Sequence, residues 1–190
     1  MFGLLQEKVG SPYTLIPTDM FVSFSGGIEH WATICGALVP PVALIGATVA
    51  DKKIRNAMVN ELMAWYTQFP FPEYQPAGLN LPKVAVGSTL CHVSATTWAN
   101  VAKVSTSSKT KKQRCGGLSG DVAKKTVQML NAWKDTGTFA ATHKPNPIVD
   151  TCMDCHADNE PYTQGKENCM QCHGDKLINI KKSEAHEGLF

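Results

Sequence analysis

Two copies of one short cysteine motif lie near the C-terminal end of this chain of 190 residues, and they limit what that part of the chain can fold into. The copies are Cys152-Met153-Asp154-Cys155-His156 and Cys169-Met170-Gln171-Cys172-His173. The residues from Lys144 onward include 8 acidic and 5 basic side chains but few large apolar ones, so they cannot build a core of their own. A non-protein group must supply the buried surface, or this segment stays disordered.

The C-x-x-C-H spacing is the signature of covalent haem attachment. The two thiols add to the vinyl groups of the porphyrin as thioethers, and the adjacent histidine binds the iron as proximal ligand. A zinc site with four cysteines is one alternative, because two C-x-x-C pairs separated by a short loop also fit it, and paired disulfides are another. The histidine after each pair favours two covalently bound haem c groups, held by Cys152, Cys155, His156, Cys169, Cys172 and His173.

An electron carrier with closed haems needs a second axial ligand on each iron. His143 precedes the first motif by nine residues and His186 follows the second by thirteen, so both belong to the segment that must wrap the haems. We therefore predict His143 and His186 as distal ligands. The alternative for each is an ordinary surface histidine, in which case His92 is the next candidate and His30 the remaining one.

The residues before His143 are predicted to be α-helical. Ile54, Met58, Leu62 and Trp65 recur at helical spacing, and Glu61 lies off that stripe. Further helices are expected from Ser88 onward and from an N-cap at Ser119 to Gly137. No run of alternating residues predicts a strand. The predicted fold class is thus mainly α, with a helical, cysteine-bearing N-terminal domain over 1–142 and a small, irregular dihaem segment over 143–190.

Charge and hydropathy exclude some classes of partner. The formal net charge of +2 is too balanced for a nucleic-acid-binding chain. The uncharged stretch 32–50 approaches the length of a bilayer span, but Pro40 and Pro41 break it in the middle, so we interpret it as a buried core segment. The basic stretch 103–114 is interpreted as a solvated, mobile loop. The first residues, MFGLLQEKVG, carry no secretion signal.

Three further cysteines, Cys35, Cys91 and Cys115, are scattered through the helical part. Free cysteine is among the most buried residue types, so three inert core thiols are one interpretation. Each of them, however, lies beside glycine or histidine, and thiolates are the ligands of iron–sulfur clusters. Three thiols are one short of the usual four, and a fourth ligand could be His92, another donor, or a cysteine outside this chain.

Together, the haem motifs and the segments Cys35-Gly36-Ala37-Leu38, Leu90-Cys91-His92-Val93-Ser94 and Arg114-Cys115 resemble the split-Soret cytochromes c of sulfate-reducing bacteria. The resemblance extends from about His30 to the end of the chain. It implies a periplasmic homodimer with two bis-histidine haems per subunit, in which each haem takes one axial histidine from the partner chain. It also implies an iron–sulfur centre (2Fe–2S) on the cysteines of the N-terminal domain. Because no secretion signal is present, we interpret the chain as mature or incomplete.

These observations predict a periplasmic electron carrier with low-potential haems, since bis-histidine ligation lacks the methionine that raises the potential. Its partners would be a second copy of the chain and other redox proteins, with neither nucleic acid nor a membrane span. The alternative is a haem-dependent oxidoreductase that acts on a small inorganic substrate. No general acid or oxyanion clamp near the motifs supports it, so an enzyme is the less favoured interpretation.

Overall fold

The structure is a computed structural model that describes residues 1–76, 78–160 and 162–174. The chain divides into two units, of which the first is Met1–His143 and the second begins at Lys144. The mainly α fold class is confirmed. In the described residues the only β-type pairings outside helices are two isolated bridges, Ile34 with Leu90 and Phe71 with Val84.

Among the described residues, the first unit contains five α-helices and three short 3-10 segments, and the second contains two α-helices. The α-helices are α1 (Phe2–Lys8), α2 (Val39–Thr48), α3 (Lys52–Gln68), α4 (Cys91–Ala102), α5 (Lys109–Thr136), α6 (Ile148–His156) and α7 (Met170–His173). The 3-10 segments are Tyr13–Leu15, Thr18–Phe24 and Gly36–Leu38.

Helix α2 forms where the sequence suggested a proline break. Pro40 and Pro41 lie in its first turn, where the backbone donors have no acceptor within the helix, so proline costs nothing there. Leu44 and Ile45 of this helix are buried, as expected for a core segment. None of the helices in the described part of the chain has the length and apolar character needed to cross a bilayer.

Helix α3 follows the predicted apolar stripe. The side chain of Asp51 caps it by accepting a hydrogen bond of 2.9 Å from the backbone N–H of Ile54. Met58, Leu62 and Trp65 are buried, and they join the core between α2, α3 and α5. The other members of this core include Leu38, Ile45, Val49, Tyr66, Phe71, Val86, Leu118, Val122 and Met129.

Helix α5 begins ten residues before the position predicted for it. Its N-cap is Ser108, whose hydroxyl accepts a hydrogen bond from the N–H of Lys111, so part of the basic stretch expected to be a mobile loop is helical. Ser119, the predicted N-cap, lies inside the helix and donates to the carbonyl of Cys115. The predicted end at Gly137 is confirmed, with Gly137 in the left-handed conformation that closes many helices.

The early start of α5 has a tertiary cause. A Cβ on Gly117 would lie 2.6 Å from the backbone oxygen of Tyr74, so only glycine lets the helix approach the proline-rich connection after α3. The buried carboxylate of Asp121 then accepts hydrogen bonds from the N–H groups of Glu73 (2.7 Å) and Tyr74 (3.0 Å). Both contacts join residues far apart in sequence, so local helix propensity does not report them.

Candidate metal centres

The first C-x-x-C-H motif forms the end of helix α6. Cys152, Cys155 and His156 therefore stand at positions i, i+3 and i+4 of an α-helix and share one face. Cys152 is half-buried, whereas Cys155 is exposed, and neither is in a disulfide. Two free thiols and an imidazole on one helical face match the requirements of a macrocycle attached at one edge and ligated at its centre.

The second motif repeats this arrangement. Cys169 has helical dihedral angles (φ −55°, ψ −35°) and precedes helix α7, which contains Cys172 and His173. Its two cysteines are also free, the first half-buried and the second exposed. The same three positions of one helical turn are thus occupied in both motifs.

The first cysteines of the two motifs lie next to each other. The pKa of Cys152 is raised, first by burial and then by the neighbouring Cys169 thiol. The first thiols of the two motifs are therefore neighbours in the second unit.

In the first unit, the backbones of Cys35 and Cys91 are fixed by reciprocal hydrogen bonds. The N–H of Cys35 donates to the carbonyl of Thr89 (2.8 Å), and the N–H of Cys91 donates to the carbonyl of Thr33 (2.6 Å). Cys91 is the first residue of α4, where helix donors have no partner within the helix. The segment before Cys35 thus supplies a backbone cap to α4 and brings the two cysteines together.

This capping segment has an unusual backbone. Gly26, Gly27, Ile28, Glu29, His30 and Ala32 all have positive φ angles. Four of these residues carry a Cβ, for which this region is sparsely populated, and Ile28 is β-branched. A Cβ on the buried Gly27 would lie 2.8 Å from the Cβ of Cys91. The strained segment is therefore packed directly against one of the three thiol-bearing residues.

Cys115 lies on helix α5, immediately after Arg114, and Arg114 begins a buried polar chain. The guanidinium Nη1 of Arg114 donates to the hydroxyl of Ser94 at 3.0 Å. The Ser94 hydroxyl lies 3.1 Å from that of Tyr66, whose hydroxyl in turn is near the thiol of Cys35. Arg114, Ser94 and Tyr66 are all buried.

The three thiols of the first unit are close enough to influence one another electrostatically. Burial raises the pKa of Cys35, although the nearby Tyr66 hydroxyl opposes this, and the Cys115 thiol adds to the increase. The pKa of Cys91 is likewise raised by burial, then by Cys35 and Cys115. Within residues 1–76, 78–160 and 162–174, however, no three His, Cys, Asp or Glu side chains converge as ligands of a single metal ion.

His143, one of the predicted distal ligands, is held by a buried carboxylate of helix α3. Glu61 accepts hydrogen bonds from the backbone N–H and ring Nδ1 of His143, both at 2.7 Å. It also accepts from the backbone N–H of Thr142 (2.7 Å) and from Lys125 Nζ (2.8 Å). Because Nδ1 is engaged, the ring nitrogen left for a metal is Nε2.

Opposing effects set the charge of Glu61. Burial alone would raise its pKa, but the hydrogen bonds from Lys125, His143 and Thr142 outweigh burial and lower the pKa to about 2. The carboxylate therefore stays ionised over the whole physiological range.

For the other candidate distal haem ligands, the structure shows no comparable hydrogen-bond partner among the described residues. His30 and His92 are exposed, and His186 lies outside the described residues. The sequence did not predict the buried polar residues around His143 and the thiols, which are Glu61, Tyr66, Ser94 and Arg114. Only the position of Arg114 directly before Cys115, and of Glu61 directly before the buried Leu62, could have pointed to them.

Comparison with known proteins identifies two likenesses. Residues 1–129, which include the three cysteines of the first unit, match the family described as "Putative redox-active protein (C_GCAxxG_C_C)". Over 161 residues, or 81% of this chain, the sequence is 36% identical to the split-Soret cytochrome c of Desulfovibrio desulfuricans. This chain spans 57% of the length of that relative.

The fold is similar to a solved structure described as showing a novel iron centre in the split-Soret cytochrome c of Desulfovibrio desulfuricans ATCC 27774. The TM-score is 0.83 and the sequence identity 35%, over 91% of this chain and 76% of that one. The predicted resemblance is confirmed: this chain belongs to the split-Soret cytochrome c family.

Proposed function

We propose that this chain is an electron-transfer protein of the periplasm that carries two bis-histidine haem c groups and an iron–sulfur centre. Membership of the split-Soret cytochrome c family implies a redox protein. The observation that carries the proposal is the placement of both C-x-x-C-H motifs on helical turns, with the two thiols and the histidine at positions i, i+3 and i+4. All four motif thiols are free.

The chain's residues fit two haem c groups, whose iron supplies the one-electron chemistry when they are bound. Cys152 and Cys155 would hold the first and Cys169 and Cys172 the second. Each thiol would add across one vinyl group: an S–C bond forms, the thiol hydrogen moves to the neighbouring vinyl carbon, and no net oxidation occurs. His156 and His173 would be the proximal ligands. The neighbouring thiols of Cys152 and Cys169 support close approach of the two attachment sites.

His143 has the kind of carboxylate partner that metal-binding histidines usually have. A ligand histidine commonly donates its other ring nitrogen to a carboxylate, which fixes the tautomer and orientation of the ring. Glu61 occupies that position on Nδ1. We therefore retain His143 as a distal ligand through Nε2, to a haem of its own chain or of the partner chain, and His186 as the predicted ligand of the second haem.

The three thiols of the first unit fit an iron–sulfur centre better than a single metal ion. A lone ion needs its donors to converge, which the described side chains do not do. A centre that contains inorganic sulfide occupies more space, and the mutual electrostatic influence of Cys35, Cys91 and Cys115 supports their assignment to one such centre. Two nitrogens of the adjacent buried Arg114 have no hydrogen-bond partner, so the site also contains an unused cationic donor.

A homodimer is supported by the distribution of exposed apolar side chains. Seven of the large hydrophobic residues that are exposed in the described chain lie in its first 31 residues: Leu4, Val9, Leu15, Met20, Val22, Ile28 and Trp31. Exposed apolar side chains concentrated in one segment are typical of a protein-contact surface. A second copy of the chain would cover this surface and could supply the exchanged axial histidine. The periplasmic location rests on the haem motif, because haem c is attached outside the bacterial cytoplasm.

Absorption spectroscopy and intact mass measurement of the protein, matured in a host that attaches haem c, test this function. We expect the mass of two haems per chain, a low-spin ferric spectrum, a distorted main absorption band from close haems, and no carbon monoxide binding after reduction. A high-spin native haem or rapid carbon monoxide binding would favour the oxidoreductase alternative. A colourless protein from which acid extracts zinc would contradict the haem assignment.

A further inference from the structure

We infer that Arg114 is the buried counter-charge of the iron–sulfur centre, and that its two unpaired guanidinium nitrogens donate to the sulfur ligands and thereby favour reduction and retention of the centre. This inference rests on the proposed assignment of Cys35, Cys91 and Cys115 to that centre. It adds a residue that is not itself an iron ligand.

Arg114 is buried, but its guanidinium group is only partly hydrogen-bonded. The side chain is 1% exposed, and its Nη1 donates to Ser94, but Nε and Nη2 have no hydrogen-bond acceptor in the part of the chain that the structure describes. Leaving a buried charge with unused donors is expensive, and buried charges are normally paired or hydrogen-bonded. An acceptor of negative charge is therefore expected beside this guanidinium.

The described protein supplies no carboxylate for that role. No Asp or Glu oxygen among the described residues lies within 4.0 Å of the Arg114 guanidinium. The buried carboxylate of Glu61 is already bound by Lys125, His143 and Thr142. The ring centroid of Trp98 lies 5.9 Å from Arg114 Cζ, which is a weak cation–π contact. This contact does not supply a hydrogen-bond acceptor for Nε or Nη2.

The groups that would carry negative charge near Arg114 are the sulfurs of the proposed centre. Cys115 follows Arg114 in sequence, and Ser94, to which Arg114 donates, lies on helix α4, whose first residue is Cys91. Thiolates and inorganic sulfides accept hydrogen bonds, and such bonds are one of the means by which proteins set the potential of an iron–sulfur centre. The unpaired nitrogens and the three thiols therefore complement each other.

A second route leads from Arg114 to Cys35. The Ser94 hydroxyl oxygen accepts from Arg114, so its own hydrogen can be donated to the hydroxyl oxygen of Tyr66, 3.1 Å away. The hydrogen of the Tyr66 hydroxyl is then available to the nearby sulfur of Cys35. With the hydroxyl hydrogens in this arrangement, each bond polarises the next. This chain of hydrogen bonds would add to the stabilisation of negative charge on the Cys35 sulfur.

The electrostatic consequence follows from the sign of the charges. A centre held by thiolates is anionic, and reduction adds one more negative charge. A buried cation stabilises the reduced form more than the oxidised form, so its removal makes the reduction potential more negative. Arginine suits this role better than lysine because its planar fork carries five donors in fixed directions.

The test compares Arg114→Gln and Arg114→Lys with Arg55→Gln in the haem-loaded protein. Arg55 is the only other arginine of the chain, and it contacts backbone carbonyls of Val49 and Ala50. The readouts are non-haem iron per chain and the midpoint potential of the iron–sulfur centre, followed by electron paramagnetic resonance during a redox titration. The haem potentials serve as an internal reference, and circular dichroism confirms folding.

For Arg114→Gln we expect the reduction potential of the iron–sulfur centre to become more negative. The redox equilibrium should change at least tenfold, which is about 59 mV for one electron. Loss of the non-haem iron with the fold intact is the other expected result. Arg114→Lys should shift the potential less in the same direction, and Arg55→Gln should shift neither readout. If Arg114→Gln does not fold, Arg114→Lys and Ser94→Ala, which interrupts the chain of hydrogen bonds, decide the question.

The two possible failures are distinguishable. If the wild-type protein holds no non-haem iron, the proposed centre itself is wrong. If it does hold a centre, and the Arg114 variants keep the same iron content and potential, the assignment of Arg114 is wrong while the centre stands.

Discussion

The carboxylate of Glu61 and the ring Nδ1 of His143 are 2.7 Å apart, although 82 positions separate the two residues in sequence. The same carboxylate also accepts from the His143 backbone N–H, so both the ring and the main chain of His143 are fixed at the end of the first unit. A histidine held in this way has its rotamer and tautomer selected before it meets a metal. This reduces the entropy lost on ligation.

Glu61→Gln tests whether this contact serves haem ligation. The amide keeps the size of the side chain but loses the charge that holds Nδ1–H, so we expect a partial high-spin signal from one haem per chain. His143→Ala should convert that haem to high spin completely. Electron paramagnetic resonance and optical spectra of the ferric protein measure both effects.

Glu73→Gln is the matched control for Glu61→Gln. Glu73 also forms an ion pair with a lysine, Lys124, but both side chains are largely exposed. Its removal should leave the haem spectrum unchanged. Low-spin haems in His143→Ala would show that another histidine, such as His92, is the ligand.

The pH dependence of stability should also reflect Glu61. Its pKa is lowered to about 2 in the folded protein, so its contribution is fully present above the unfolded value near 4.5 and is lost as the pH falls from there toward 2. At about 1.4 kcal/mol per pKa unit, the contribution is on the order of 3 kcal/mol. The unfolding free energies of the wild type and of Glu61→Gln, measured with denaturant, should therefore differ most near pH 6, and the difference should shrink as the pH falls from 4.5 toward 2. A difference that does not change with pH would contradict this account.

The fold was predictable where local periodicity determines it. The stripe of Met58, Leu62 and Trp65 predicted helix α3, and these side chains are buried. The start of α5 was not predictable, because glycines and a basic run usually indicate a loop. The helix is stabilised there by long-range contacts, including the close approach of Gly117 to Tyr74.

The haem assignment could be predicted from sequence because the residues of each cysteine motif are adjacent. The polar partners of the candidate site could not be predicted in this way, since each acts across a long sequence separation. Glu61 meets His143 from another element, and Arg114 meets Ser94 from 20 positions away. Periodicity predicted Glu61 on a polar helix face, and the basic run over 103–114 predicted a solvated loop at Arg114, whereas both side chains are buried.

Gly27→Ala should damage the thiol site of the first unit. Gly27 has φ +72°, and an added Cβ would lie 2.7 Å from the backbone nitrogen of Thr33 and 2.8 Å from the Cβ of Cys91. We expect a loss of stability of about 2–3 kcal/mol, from the left-handed strain of about 1–2 kcal/mol and the additional clash. Less non-haem iron should be retained as well. Denaturant unfolding and iron analysis measure these effects.

Gly10→Ala separates the two contributions in that prediction. Gly10 also has a positive φ (+84°), but a Cβ there would meet nothing within 4 Å. In this variant, the free energy of unfolding should fall only by the conformational strain, and the iron should be retained. Equal effects of the two substitutions would show that Gly27 does not act through its contact with Cys91.

Trp31→Ala should weaken the proposed homodimer. The Trp31 side chain is 81% exposed and belongs to the apolar surface of the first 31 residues. Aromatic side chains that become buried at an interface often contribute more than 1.4 kcal/mol, which corresponds to a tenfold change in the dissociation constant. We therefore expect at least a tenfold weaker dimer by sedimentation equilibrium. Tyr74→Ala is the control, because Tyr74 is also an exposed aromatic residue (63%) but lies outside that surface.

If the axial histidines are exchanged between chains, dilution of the Trp31 variant should produce high-spin haem in parallel with monomer. A monomeric wild type with low-spin haems would instead show that each chain ligates its own haems.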